Sequence, residues 1–293
     1  MKTLLITGTT GFIGKNILKL IELNFENKFN IVLLSSRVHS KYKTIQHKSY
    51  TFKKDDFINM NIKTIDIVLH IGAFTPKSGD EANDIEKSNS NIFNTKYLID
   101  NLPNIPSKFI FLSTIDVYGK IDKIIDEKAN TTPLSMYGWS KLYCEKLIEN
   151  WADKNNVIIQ ILRVGHIYGK GEEEYKKVIP ITISKIKKEE NPKIYGTGKE
   201  LRSFLHVNDV CSFIFKSISL YKYEGVINLC SSKSYSIKEI IEMLIAISNK
   251  RLEIDYIENK NSTLDFIFNT EKMNKLLGYE IVDIEKGLEN EYR

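Results

Sequence analysis

Three cysteines, Cys144, Cys211 and Cys230, are scattered over 293 residues, with no Cys-x-x-Cys pair and no histidine at metal-ligand spacing. A disulfide scaffold and a structural zinc site are thereby excluded, no metal is expected, and a reducing, cytoplasmic setting is implied. No apolar stretch approaches the roughly 20 residues of a membrane span. The short run at 4–6 leads straight into a glycine turn, not into a signal-peptide cleavage site. Neither an internal repeat nor a low-complexity segment is present. The formal net charge of +5 comes from dispersed lysines without a basic stripe, so nucleic acid is not an expected partner. Mild basicity does suit a phosphate-bearing substrate. What remains is a chain with 42% hydrophobic residues, enough for one large α/β domain or a domain plus a smaller lobe.

The N-terminal segment Leu4-Leu-Ile-Thr-Gly-Thr-Thr-Gly-Phe-Ile-Gly14 reads as a buried strand, a tight turn and a helix beginning near Phe12. Gly8 permits the sharp turn, Gly11 lets backbone N–H groups approach a pyrophosphate, and Gly14 lets the helix pack close to a sheet. The helix N-terminus adds a positive dipole and free donors. Thr10, Phe12 and Ile13 complete this cofactor-binding turn. Apolar runs at 31–34, 49–52, 66–71, 108–112 and 157–162 read as buried strands. Helical patterns at 13–23, 92–102 and 137–153 lie between them. Such alternation predicts a Rossmann-type, doubly wound parallel sheet. Beyond Arg163 the pattern loosens into Gly turns and helices near 181–188 and 237–247, as expected for a smaller C-terminal lobe.

In a dinucleotide fold the end of the second strand meets the adenosine ribose, where a carboxylate selects NAD. Here it reads Ser35-Ser36-Arg37, with no carboxylate. Two hydroxyls and a guanidinium fork suit a 2′-phosphate, so NADP(H) is the expected cofactor and NAD(H) the alternative. Asp56, at the end of the expected third strand, is a candidate for the adenine amino group, with Asp55 nearly equivalent.

Tyr137-Gly-Trp-Ser-Lys141 places a phenol and an ammonium on one helical face. A free tyrosine titrates near ~10, and a nearby cation favours its phenolate. The spacing alone selects nothing: Tyr-x-x-x-Lys also occurs at Tyr50/Lys54, Tyr195/Lys199 and Tyr256/Lys260. Only Tyr137 opens a convincing helix, and it follows a strand ending in Leu112-Ser113-Thr114, whose terminal hydroxyl lies where parallel sheets bind ligands. Thr114, Tyr137 and Lys141 are therefore the candidate catalytic set.

Taken together these segments resemble the extended short-chain dehydrogenases/reductases, in the NAD-dependent epimerase/dehydratase group acting on nucleotide sugars. Asp66-Ile-Val-Leu-His-Ile-Gly72-Ala73 is similar to the family's fourth strand, whose small residues contact the cofactor. Asn91-Ile-Phe-Asn-Thr95 resembles its Asn-containing helix, and Ser113-Thr-Ile-Asp-Val-Tyr-Gly119 the segment supplying the catalytic Ser or Thr. Arg163-Val-Gly-His166-Ile-Tyr-Gly169 and the run from Tyr195 to Asp209 resemble nucleotide-diphosphate segments. The resemblance implies that 1–165 with about 203–231 bind the dinucleotide, while 166–202 and 232–293 form a nucleotide-sugar lobe. It implies substrate contacts from Thr75, Thr114, Asp116, His166, Tyr195 and Arg202, the last on the diphosphate. It also implies a homodimer packed through the helices near 91–102 and 137–153. Sugar dehydratases of this kind carry an acidic or Ser–Glu pair directly after the Thr; here Ile115 and Asp116 stand there. Elimination needs an acid for the leaving hydroxyl and a base for the adjacent carbon, so the expectation moves to an NADPH-dependent 4-ketoreductase of a nucleotide-linked 4-keto-6-deoxyhexose. An NAD-dependent 4-epimerase is the alternative, and a non-catalytic dinucleotide-binding protein the third reading.

Overall fold

The computed structural model describes residues 1–25, 28–121, 124–259, 264–278 and 280–293. Lys260, partner of Tyr256 in one Tyr-x-x-x-Lys pair, lies outside them. The first half alternates β1 (Lys2–Thr7), α1 (Phe12–Asn24), β2 (Phe29–Ser35), β3 (Lys43–Gln46), α2 (Lys54–Asn59), β4 (Ile67–His70), α3 (Ile85–Asp100), β5 (Lys108–Thr114), α4 (Met136–Asn155) and β6 (Ile158–Val164). Then come β7 (His166–Tyr168), α5 (Val178–Lys187), β8 (Lys193–Tyr195), β9 (Leu201–Arg202), β10 (Phe204–His206), α6 (Val207–Ile218) and β11 (Ile227–Leu229). The chain closes with β12 (Tyr235–Ser236), α7 (Ile237–Ser248), β13 (Asp255–Ile257), α8 (Glu271–Leu277) and α9 (Ile284–Tyr292).

Seven strands form one parallel sheet in the order β11-β6-β5-β4-β1-β2-β3. The order reverses between β1 and β4, so the crevice beyond their carboxyl ends is the natural ligand position. The strands are buried on both faces. Leu4, Ile6 and Leu69 pack with α1 and α6 on one side, and Leu5, Val68 and Phe109 with residues of α3 and α4 on the other. A separate core joins Tyr168 and Phe204 to Ile179, Ile186, Ile240, Leu244, Ile284 and Leu288, which gathers α5, α7 and α9 into the smaller lobe. Met273 and Leu277 of α8 belong instead to the core of the large sheet.

One strand expectation fails. The run at 49–52 is not the third strand; Ser49 and Tyr50 adopt left-handed backbone angles, φ +52° and +61°, which a strand excludes. Its apolar residues are buried from a loop, with Tyr50 and Phe52 in edge-on ring contact. The third strand is β3, where only Thr44 and Ile45 are buried between a lysine and a glutamine, so it carries little apolar signal. Asp56 therefore does not end a strand. It occupies the first turn of α2 and accepts a hydrogen bond from the Lys53 N–H at 2.7 Å.

Candidate active site

The glycine turn is closed by steric need. At Gly8, φ is +74° and a Cβ would stand 2.5 Å from the Gly72 nitrogen; at Gly14 it would stand 2.1 Å from the Gly8 oxygen. Gly11 donates to the Gly8 carbonyl at 3.1 Å and forms the N-cap of α1, where no side chain caps the helix. The space kept by the missing Cβ atoms and the uncapped helix N-terminus fit a dinucleotide diphosphate.

Beside this turn, the Thr7 hydroxyl accepts from the Gly72 N–H and bonds His70 Nδ1, both at 2.8 Å, and His70 Nε2 meets Thr95 Oγ1 at 3.1 Å. Burial, reinforced by the Lys141 charge, pushes the His70 pKa down to about 3, so the ring is neutral. Asn91 accepts from the Phe74 N–H and donates to the Phe74 carbonyl and to Ser140 Oγ. The loop after β4 is thereby tied to α3 and α4.

Thr114 ends β5. Tyr137 and Lys141 lie one turn apart on α4, which Ser135 caps by accepting from the Gly138 N–H. All three line one cavity of about 520 Å³, together with Gly8, Thr10, Gly11, Phe12, Ile13, Gly14, Gly72, Ala73, Thr75, Asp116 and His166. Burial is the main cause that raises the Tyr137 pKa, the Asp116 charge adds to it, and hydrogen bonds with Thr75 and Thr114 oppose it. Burial lowers the Lys141 pKa to about 8. Its ammonium donates to the Leu112 carbonyl and lies 4.2 Å from the centre of the Phe111 ring. The phenol is thus neutral in this geometry, and its ionisation needs further positive charge in the cavity.

Beneath Thr114 runs a buried network that the sequence reading missed. Arg163 of β6 donates from Nε and Nη2 to the two Glu145 oxygens at 3.0 and 2.7 Å, and from Nη1 to Tyr118 Oη. Ser113 donates to Glu145 and Tyr118 to Asn228. Burial alone would lower the Arg163 pKa; Glu145 more than offsets it. Arg163 therefore faces the buried interior. The one legible signal was Glu145 standing four residues after Lys141 on the same helix.

The smaller lobe supplies the opposite wall. His166 lines both the main cavity and an adjoining recess of about 230 Å³ that Arg202 also lines. His166 Nδ1 is buried with no hydrogen-bond partner among the described residues, and burial, then the Arg202 and Lys177 charges, push its pKa down to about 3. Arg202 donates to the Leu201 and Leu264 carbonyls, and its guanidinium lies 5.3 Å from the centre of the Phe266 ring. Lys177 pairs with Glu172 at 2.9 Å; burial raises Glu172 to about 7. Lys77, Glu174, Tyr175 and Lys177 also line the main cavity and carried no sequence signal. Lys77 pairs with Glu174 at 3.1 Å, and the Lys176 N–H donates to the Lys77 carbonyl, so two segments meet at the mouth.

Five expected contacts line neither the main cavity nor the adjoining recess. Tyr195 is exposed on β8. Ser35 is buried and accepts from the Arg37 N–H at 3.3 Å, while Ser36 and Arg37 are exposed beyond β2. Asp56 caps α2. Among the described residues no cluster of three or more His, Cys, Asp or Glu could hold a metal, and no helix is long and apolar enough to cross a membrane.

A glycine cradle at the sheet's reversal point, with Thr, Tyr and Lys converging beside it, defines a nicotinamide-dependent oxidoreductase of the short-chain class. The chain belongs to the NAD dependent epimerase/dehydratase family, whose model matches residues 4–230. It is 26% identical to dTDP-D-glucose 4,6-dehydratase of Dictyostelium discoideum, over 85% of this chain and 62% of that protein. It is equally similar, at 26%, to the ADP-L-glycero-D-manno-heptose-6-epimerase of Brachyspira hyodysenteriae, over 87% of this chain and 83% of that one. Among solved structures, UDP-glucuronic acid 4-epimerase of Bacillus cereus, in complex with UDP-glucuronic acid and NAD, superposes with a TM-score of 0.86. That pair is 25% identical and covers 100% of this chain and 98% of the other.

Proposed function

We propose that the protein reduces the C4 ketone of a nucleotide-linked 4-keto-6-deoxyhexose, using NADPH. The observation that carries the chemistry is the convergence of Thr114, Tyr137 and Lys141 on one cavity beside the glycine cradle. When bound, the nicotinamide supplies hydride to the sugar carbon. Thr114 orients the carbonyl, and Tyr137 gives its phenolic proton to the nascent alkoxide. Lys141 holds the cofactor ribose and favours the phenolate that must be reprotonated. Arg202 and His166 receive the sugar-nucleotide diphosphate from the adjoining recess, within a lobe built from 166–202 and much of 232–293. Loss of water is disfavoured because the buried Ile115 side chain cannot protonate a leaving hydroxyl.

The cofactor choice rests on Ser35, Ser36 and Arg37, where no carboxylate repels a 2′-phosphate. A second reading, an NAD-dependent 4-epimerase with the same residues, is favoured by the bound NAD of the Bacillus cereus enzyme. Exposed Phe93, Trp139 and Tyr143 on the paired helices α3 and α4 support a homodimer through that face.

The test is to mix the protein with NADPH or NADH and dTDP-, CDP- or GDP-linked 4-keto-6-deoxyhexose, following nicotinamide absorbance. Consumption with NADPH preferred supports the reductase and identifies its nucleotide. No consumption, with NAD retained through purification, moves the assignment to the epimerase.

A further inference from the structure

Residues 169–177 join β7 to α5 and lie beside the glycine turn as a strap. Gly169 and Gly171, at φ +139° and +104°, turn the chain into it. Gly171 packs on the Phe12 ring, where a Cβ would stand 3.4 Å away, and the Lys170 carbonyl accepts from Asn16 Nδ2 at 3.2 Å. The ring centres of Tyr175 and Phe12 are 6.3 Å apart. Across the mouth, the Lys176 N–H donates to the Lys77 carbonyl at 3.1 Å, and Lys77 Nζ meets Glu174 at 3.1 Å. The strap therefore touches both the start of α1 and the loop after β4, and both of those segments line the main cavity.

The strap carries its own internal bonds. The Glu172 N–H donates to the Gly169 carbonyl, the Tyr175 N–H donates to the Glu172 carbonyl, and Lys177 pairs with Glu172. Its ion pair across the mouth lies at the surface, with the Lys77 and Glu174 side chains 51% and 64% exposed. Exposed ion pairs are weak, so this tie holds the strap down without locking it. The Lys77 hydrogen bond, then the charges of Lys77, Lys15 and Arg37, keep the Glu174 carboxyl below the usual carboxylate range, so the tie is charged at neutral pH. A segment that keeps its inner bonds while shedding its outer ones moves as a unit on its glycine hinge.

We propose that residues 169–177 are a gate for the dinucleotide, latched by Lys77 and Tyr175, and that the strap lifts each time the cofactor enters or leaves the glycine cradle. With the strap down, its contacts to Phe12, Asn16 and Lys77 close the mouth. Loss of a latch contact raises the fraction of time the strap is up, which speeds entry and exit alike. A side chain that only contacts the bound dinucleotide acts differently: its loss speeds exit and leaves entry unchanged. A reductase exchanges its nicotinamide at every turnover, whereas an epimerase regenerates it in place, so the gate bears on turnover in the first case. This inference rests on the dinucleotide reading of the cavity and holds for either reaction.

The experiment measures the entry and exit rates of NADPH and of NADH by stopped-flow nicotinamide fluorescence, with exit followed by a chase of excess oxidised nucleotide. Lys77→Ala and Tyr175→Ala should each raise both rates by about threefold or more, the scale of one surface contact, while Kd shifts less than the rates do. In Lys77→Cys/Lys176→Cys, at the two residues joined by the backbone hydrogen bond, oxidation before loading should block entry. Oxidation after loading should retain the nucleotide through gel filtration, and reduction should reverse both effects; the three native cysteines are buried. Where no disulfide forms, the rates alone decide. Faster exit with unchanged entry overturns the gate and makes the strap a cofactor contact. Unchanged rates in both alanine variants, or free exchange with the disulfide closed, also overturn it and leave the dinucleotide reading standing. Binding of neither nucleotide by the wild-type protein overturns both.

Discussion

The two walls of the cavity are held by different means. On the sheet side a buried ion pair is fully engaged: Glu145 and Arg163 form a bidentate pair that is further bonded to Ser113 and Tyr118. On the lobe side His166 Nδ1 has no hydrogen-bond partner among the described residues, Arg202 leans on two carbonyls, and Glu172 shares its charge with a half-exposed Lys177. Burying a charge is tolerated where its hydrogen bonds are complete. An incompletely bonded wall is costly to the empty protein and suits the arrival of an anion. The sheet side is therefore a scaffold that fixes Thr114 and α4, and the lobe side is a receptor.

The sharpest break in this comparison comes from the group that both walls enclose. Tyr137→Phe should lower turnover by roughly 10²–10⁴-fold with the fold unchanged, read by steady-state kinetics and circular dichroism. Full activity in that variant would end the mechanistic assignment. On the scaffold wall, Glu145→Ala strands the Arg163 guanidinium and should cost about 3–5 kcal/mol, measured by urea denaturation. A loss under about 1 kcal/mol there would mean that water already reaches the pair.

On the receptor wall the effect is smaller and depends on pH. The folded pKa of Glu172, about 7, lies above its ordinary 4.5. Its contribution is fully present below pH 4.5 and is lost as pH rises through 7. Glu172→Gln should remove roughly 1–3 kcal/mol of that decline, seen by comparing denaturation at pH 5 and pH 8. An unchanged slope would show Glu172 to be solvated. The smallest effect is at the edge of both walls. Arg37→Ala should reduce the preference for NADPH over NADH by roughly tenfold, the scale of one charge-assisted contact; an unchanged ratio would remove Arg37 from cofactor selection.

The glycine cradle, the helix bearing Tyr137 and Lys141, and the strand ending in Thr114 were legible because each is a local pattern. The third strand was not, since β3 buries only Thr44 and Ile45 while the apolar run at 49–52 is buried from a loop. Asp56 was misplaced for the same reason. Arg163 had no assigned role in the sequence, since its direction depends on Glu145, 18 residues away on another element.

The sequence by itself determined the class of site, because backbone sterics at Gly8 and Gly14 and the periodicity of a helix act over a few residues. Only the tertiary structure decided which charges are satisfied and which face the cavity. Arg163 meets Glu145, Lys177 meets Glu172, and Asp116 meets Thr114. Those outcomes depend on burial and on groups brought together by packing, and spacing along the chain carries little of that information.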